Sequence, residues 1–151
     1  MLEEVPHHEE AERLRHDQQL LIDHLDALRE HVDESTADRE GWLDGLADHL
    51  DQVTTLLAQY FAVEERSSLF GEFGRRFPRF FQRLQELRHE HLQILAMLEE
   101  LRTDCLDTVA DVAHGALTQR THTIINMLRR HEREESEILQ AAYTDDIGAA
   151  D

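Results

Sequence analysis

Three stretches of the chain place apolar residues at alternating three- and four-residue steps. The first runs through Leu43, Leu46, Leu50, Val53, Leu57, Tyr60 and Glu64. The second runs through Phe80, Leu84, Leu87, His91, Ile94, Leu98 and Leu101, and the third through Leu117, Thr121, Ile124, Leu128, His131, Glu135 and Ile138. That spacing keeps side chains on one side of an α-helix, the side that faces a bundle core. An earlier segment, roughly 7–33, has a broader apolar face of Leu14, Leu20, Leu21, Leu25, Leu28 and Val32. Breaks separate the segments: "DESTADREG", then "GEFGRRFP", then "AHG". Pro78 suits the first turn of a helix, where a missing N–H costs nothing. Connections this short make successive helices antiparallel. The pattern predicts an all-α fold, an up-down-up-down antiparallel four-helix bundle, as a single domain over residues 1–151.

Composition supports this reading and narrows the partners. The chain has 151 residues with only two prolines and six glycines, and it is rich in helix formers. Its formal charge of −18 disfavours nucleic acid or an anionic membrane surface as a partner, since both would repel it. The lone Cys105 cannot form an internal disulfide, and the acidic start "MLEEVPHHEE" lacks the apolar core of a signal peptide. No apolar run approaches the ~20 residues needed to span a bilayer. The expectation is a soluble, cytoplasmic protein; no oligomeric state follows. The unusual feature is 11 histidines beside 33 carboxylates, the ligands preferred by non-haem iron, zinc and manganese. Any single histidine is still more simply read as part of a solvated helix face.

The seams carry polar exceptions where leucine is expected: Tyr60, Glu64, His91, His131 and Glu135. A buried carboxylate or imidazole is costly unless paired or metal-bound. Counting depth from each connection at about 1.5 Å per residue brings all five to one level. The same count selects His16 on the first helix rather than His24. His89, two residues from His91, should project from the opposite face into solvent. The spacing His131-x-x-x-Glu135 carries no weight alone: composition predicts about two His-x-x-x-acid pairs, and there are two, the other being His8/Glu12. Its placement on a core seam carries the argument. His24 and His49 could form a separate pair some turns away, though two partly buried, hydrogen-bonded histidines are the simpler reading. His7 and His8 fit a frayed terminus, and Trp42 an apolar cap over the loop end.

In order and spacing these residues resemble the hemerythrin-like, or HHE cation-binding, family. The family pattern is one histidine on the first helix, His-x-x-x-Glu on the second, histidine on the third and His-x-x-x-Glu on the fourth. Here it reads His16; Tyr60-x-x-x-Glu64 within "YFAVEE"; His91 within "HEH"; and His131-x-x-x-Glu135. The phrase "FPRFFQRLQELRHEHLQIL" and the tail "AAYTDDIGAAD" are similar to a bacterial branch of the family. The resemblance implies a di-iron centre, with manganese or zinc as other occupants, bridged by Glu64 and Glu135 and completed by the histidines. It implies a small diatomic or peroxide ligand, and a role in oxygen, peroxide or redox and iron handling.

Tyr60 departs from the pattern. As a ligand, its phenolate would suit ferric iron and disfavour reversible O2 carriage. Alternatively it bonds to Glu64 and leaves fewer ligands, or the site is degenerate. A ferritin-like oxidase would need two Glu-x-x-His motifs facing the core, whereas Glu86-x-x-His89 lies on the face away from the seam and Glu4-x-x-His7 falls at the terminus. No nucleophile–base constellation or phosphate loop supports a hydrolase or nucleotide-binding role. The competing reading is a metal-free acidic bundle that binds a basic partner.

Overall fold

The computed structural model describes residues 4–66, 75–107 and 112–150, with side chains for 9, 12–66, 75–107, 112–138, 140 and 141. Four helices account for nearly all of it: α1 Glu4–Asp33, α2 Arg39–Arg66, α3 Pro78–Leu106 and α4 His114–Ala150. Pro78 opens α3 as its position predicts. Asp38 caps α2, its carboxylate accepting the Gly41 N–H at 3.0 Å, one of the donors that a helix start leaves unpaired. Helix α1 begins a little before the sequence suggests. The glycines at 71 and 74 and the side chains of His7 and His8 lie outside the described residues.

Each helix packs against two neighbours, α1 on α2, α2 on α3, α3 on α4 and α4 back on α1, which closes a bundle. Cross-helix contacts show the direction of each pair. From α1 to α4 they run Gln18–Ser136, Arg29–Asn126 and Asp33–His122, rising on one helix as they fall on the other. Between α3 and α4 the order is Arg83–Glu134, Glu90–His131 and Asp104–Arg120. Helices α2 and α3 meet through Glu64–His91 and Asp51–Arg102. All of these neighbours are antiparallel.

The seams are buried as their spacing requires. Leu84, Leu87, His91, Ile94, Leu98 and Leu101 are buried along α3, and all seven expected positions are buried on α4. On α1 the buried row is Leu14, Leu21, Leu25, Leu28 and Val32. Leu20 is a correction: it is 38% exposed, because one residue step turns it about 100° from the Leu21 row. His89 is exposed, as its offset from His91 predicts. No helix among the described residues is long and apolar enough to cross a membrane.

Trp42 closes one end of the core. It is 2% exposed, stacks on His114 with ring centroids 3.8 Å apart, and donates its indole N–H to the His31 carbonyl at 3.2 Å. His31 answers through Nε2, which lies 2.9 Å from the Trp42 carbonyl and so carries the proton. The expected apolar cap is therefore also a two-way hydrogen-bonded fastening between α1 and α2. Gly45 makes room for it: a Cβ there would stand 2.3 Å from the His31 ring. His49 lies beside His31, centroids 5.0 Å apart, and burial followed by the charge of His31 lowers its pKa.

Candidate metal centre

Helices α2, α3 and α4 each turn polar side chains into the core at one level. Glu64, His91, His131, Glu132 and Glu135 are all at most 3% exposed, and Tyr60 is 5% exposed. They reach that level because they continue the seams that carry leucine elsewhere. On α4, His131 and Glu135 are one turn apart and Glu132 lies three residues before Glu135, so all three crowd one side.

Two groups of ligand atoms form there, each with its atoms within 4.8 Å of one another. One is His91, His131 and Glu135; the other is Glu64, Glu132 and Glu135. Glu135 belongs to both. Across the layer, His131 Nε2 stands 3.2 Å from Glu135 Oε2, and His91 Nε2 stands 3.3 Å from Glu64 Oε2. None of those four atoms has a hydrogen-bond partner.

The orientation of His131 explains why. Its Nδ1 lies 2.8 Å from the Glu90 carboxylate, which can only accept, so Nδ1 carries the proton. In the neutral ring Nε2 is then a bare lone pair facing the Glu135 carboxyl, available to a cation. Burial favours that neutral ring by lowering the His131 pKa. His91 is held differently: the Phe61 ring stacks on it at 3.6 Å with the planes 9° apart, and His131 meets it edge-on at 4.9 Å.

The carboxylates repel one another. Burial first, then the neighbouring Glu64 carboxylate, pushes Glu132 up to about 8, with Tyr60 and Gln18 close by pulling the other way. Glu135 is raised well above the usual carboxylate range by burial and then by Glu64 and Glu132. Burial and the carboxylates of Glu132, Glu64 and Glu135 hold the Tyr60 phenol protonated far above its ordinary range. Among the described residues twelve buried side-chain N or O atoms lack a hydrogen-bond partner, and seven belong to Glu64, His91, His131, Glu132 and Glu135. Buried polar atoms are ordinarily paired, and such a concentration of lone pairs is suited to a cation. The donor set, imidazole plus carboxylate, fits a transition metal.

Of the residues expected from sequence, Tyr60, Glu64, His91, His131 and Glu135 come together. His16 does not join them: it is exposed on α1. It follows Leu14 by two residues and so faces away from the core, the same geometry that exposes His89. Gln18 is the α1 residue at this level, donating to the Glu132 carbonyl at 3.4 Å and to Ser136 Oγ at 3.0 Å. Sequence reasoning also missed Glu132 and Glu90. The signal for Glu132 was its i,i+3 relation to Glu135; for Glu90 it was its place beside His91, one helical step toward α4.

Below the layer's edge, Leu84, Leu87 and Arg88 border the space between Glu64, His91 and Glu135. Neither the comparison with curated proteins nor that with solved structures gave a match. The family description "Hemerythrin HHE cation binding domain" matches residues 9–143, a span that contains every residue of the layer. A buried constellation of cation ligands inside a four-helix bundle agrees with that match, and the chain belongs to the hemerythrin HHE cation-binding family.

Proposed function

We propose that this layer holds a pair of iron ions and that the protein handles dioxygen or peroxide. The observation that carries the reading is the meeting of two buried donor groups on one shared carboxylate, Glu135, with seven orphaned lone-pair or N–H positions between them. His91, His131 and Glu135 would hold one ion; Glu64, Glu132 and Glu135, with Tyr60 at their border, would hold the other. A bound iron pair supplies electrons to, or accepts them from, a small oxygen species.

The residues themselves do the rest. Glu90 fixes the tautomer of His131 so that Nε2 is the donor. Phe61 fixes the plane of His91. The surrounding leucines, Leu84 and Leu87 among them, exclude water. Tyr60 is the element that biases the chemistry. Burial first, and then three carboxylates, keep its phenol protonated, so it ionises only when a cation's charge offsets them. A phenolate is a hard anionic donor that favours ferric over ferrous iron. That bias suits peroxide removal, redox sensing or iron retention better than reversible oxygen carriage. The buried, unpaired Cys105 is consistent with a reducing cytoplasm.

The test is a visible spectrum of the full chain loaded with ferrous iron and then exposed to air, followed by addition of hydrogen peroxide. The reading predicts a phenolate-to-iron charge-transfer band that Tyr60→Phe abolishes while iron is retained, and consumption of peroxide. Iron retained with no such band would remove Tyr60 from the ligand set. Iron inert to both oxygen and peroxide would defeat the redox role.

A further inference from the structure

The two donor groups are chemically unlike. One presents two imidazoles and a carboxylate; the other presents three carboxylates and no nitrogen. Their supports differ as well. The imidazole group is oriented in advance by the Glu90 bond to His131 and the Phe61 stack on His91. In the carboxylate group, Glu132 is 3% exposed and neither oxygen has a well-formed hydrogen bond, although Tyr60, Gln18 and Glu135 lie close enough to act on it. Tyr60 and Gln18 are among the groups that act on Glu132.

Ligand softness then separates the two. Imidazole favours borderline ions such as Zn²⁺ and Fe²⁺, while all-oxygen sets favour harder ions such as Mn²⁺. Every ligand set prefers Zn²⁺ to Mn²⁺ in absolute affinity, so the discriminating quantity is how strongly each half prefers it. We propose that the two halves of the layer differ in selectivity: His91, His131 and Glu135 discriminate more strongly for a borderline divalent ion, and Glu64, Glu132 and Glu135, with Glu132 as a ligand, shift the preference toward a hard ion of the Mn²⁺ class. This rests on the reading that the layer binds two metal ions, and it adds how each half discriminates between ions.

Mn²⁺ and Zn²⁺ are suitable probes because neither changes oxidation state on binding under anaerobic conditions. Crystals of the full chain, equilibrated with a series of Mn²⁺:Zn²⁺ ratios, are measured on both sides of each metal's absorption edge, giving the occupancy of each ion in each half. The expected result is a Mn²⁺-over-Zn²⁺ selectivity at least about tenfold higher in the carboxylate half. Solution electron paramagnetic resonance at a ratio that fills both halves should then show isolated Mn²⁺, near one per chain, rather than a coupled manganese pair. Glu132→Gln should lose the Mn²⁺ and keep the Zn²⁺, while circular dichroism confirms that the helices persist.

Equal selectivity in the two halves would overturn the proposal, as would a Glu132→Gln chain that binds Mn²⁺ unchanged. Two ions bound without discrimination would leave the two-metal reading standing and sink only this inference. Neither ion in the layer at any ratio would sink both.

Discussion

At the scale of residues, the site depends on which atom of each side chain is left bare. Glu90 accepts the Nδ1–H hydrogen bond of His131 and leaves Nε2 free, although Glu90 itself is not in either donor group. Such partners typically set metal affinity by 10- to 100-fold. Glu90→Gln should therefore weaken metal binding by about that factor while the helical signal is unchanged, as a competition titration against a chelator would show. His16→Ala, by contrast, should leave affinity unaltered, because the side chain is exposed. A large loss from His16→Ala would mean that α1 turns to bring it in. These residues also show what could be seen beforehand. His91, His131, Glu64 and Glu135 were legible because each interrupts an apolar row. His16 was chosen by depth alone, and depth without face is half of a helical coordinate. Glu132 was hidden because one buried carboxylate beside a buried histidine reads as a polar step out of the seam.

At the scale of elements, packing outweighs local preference at Gly45. A glycine in a helix interior is about 1 kcal/mol worse than alanine, so Gly45→Ala should stabilise α2 on propensity alone. The His31 ring fills the space a Cβ would need, at 2.3 Å. The substitution would displace that ring and break its bond to the Trp42 carbonyl, a loss of about 0.5–1.5 kcal/mol before any strain. The net expectation is a lower melting temperature for Gly45→Ala, reversed when His31→Ala is added to it. If Gly45→Ala alone stabilises the protein, the fastening is not a source of stability. The helices themselves were legible from spacing, and α2, α3 and α4 bury the rows expected of them except at Leu43 and Phe80, which are half-buried at the ends of their rows. Leu20 was misplaced because the first helix offers adjacent leucines, and a run such as Leu20-Leu21 has no periodicity to say which one faces inward. The reciprocal bonds between His31 and Trp42 were not legible at all, since backbone carbonyls leave no mark in a sequence.

At the scale of the whole molecule, the layer places unfavourable charge in the core, and this makes stability depend on pH and on metal. Glu132 is raised to about 8 and Glu135 is raised as well, so in the metal-free fold both bind protons more tightly than in the unfolded chain. A raised folded-state pKa gives stability that is full below the unfolded value and lost as pH rises through the folded one. His131 and His49 are lowered from 6.5, so their contributions vary below 6.5 and are complete above it. Between pH 6.5 and about 8 the carboxylates alone set the slope among these groups. The melting temperature of the metal-free protein should fall across that window, and a bound cation, which keeps the carboxylates ionised, should flatten the fall. A metal-free melting temperature that rises there would show that Glu132 and Glu135 are not proton-loaded. The central claim, that the layer binds two metal ions, is tested most directly by elemental analysis after anaerobic loading with ferrous iron and removal of excess, on the parent chain and on Glu135→Gln. Because Glu135 belongs to both donor groups, the account predicts about two irons per chain in the parent and a loss at both positions in the variant, with the fold intact. Negligible iron in the parent chain, or two irons retained by Glu135→Gln, would contradict it.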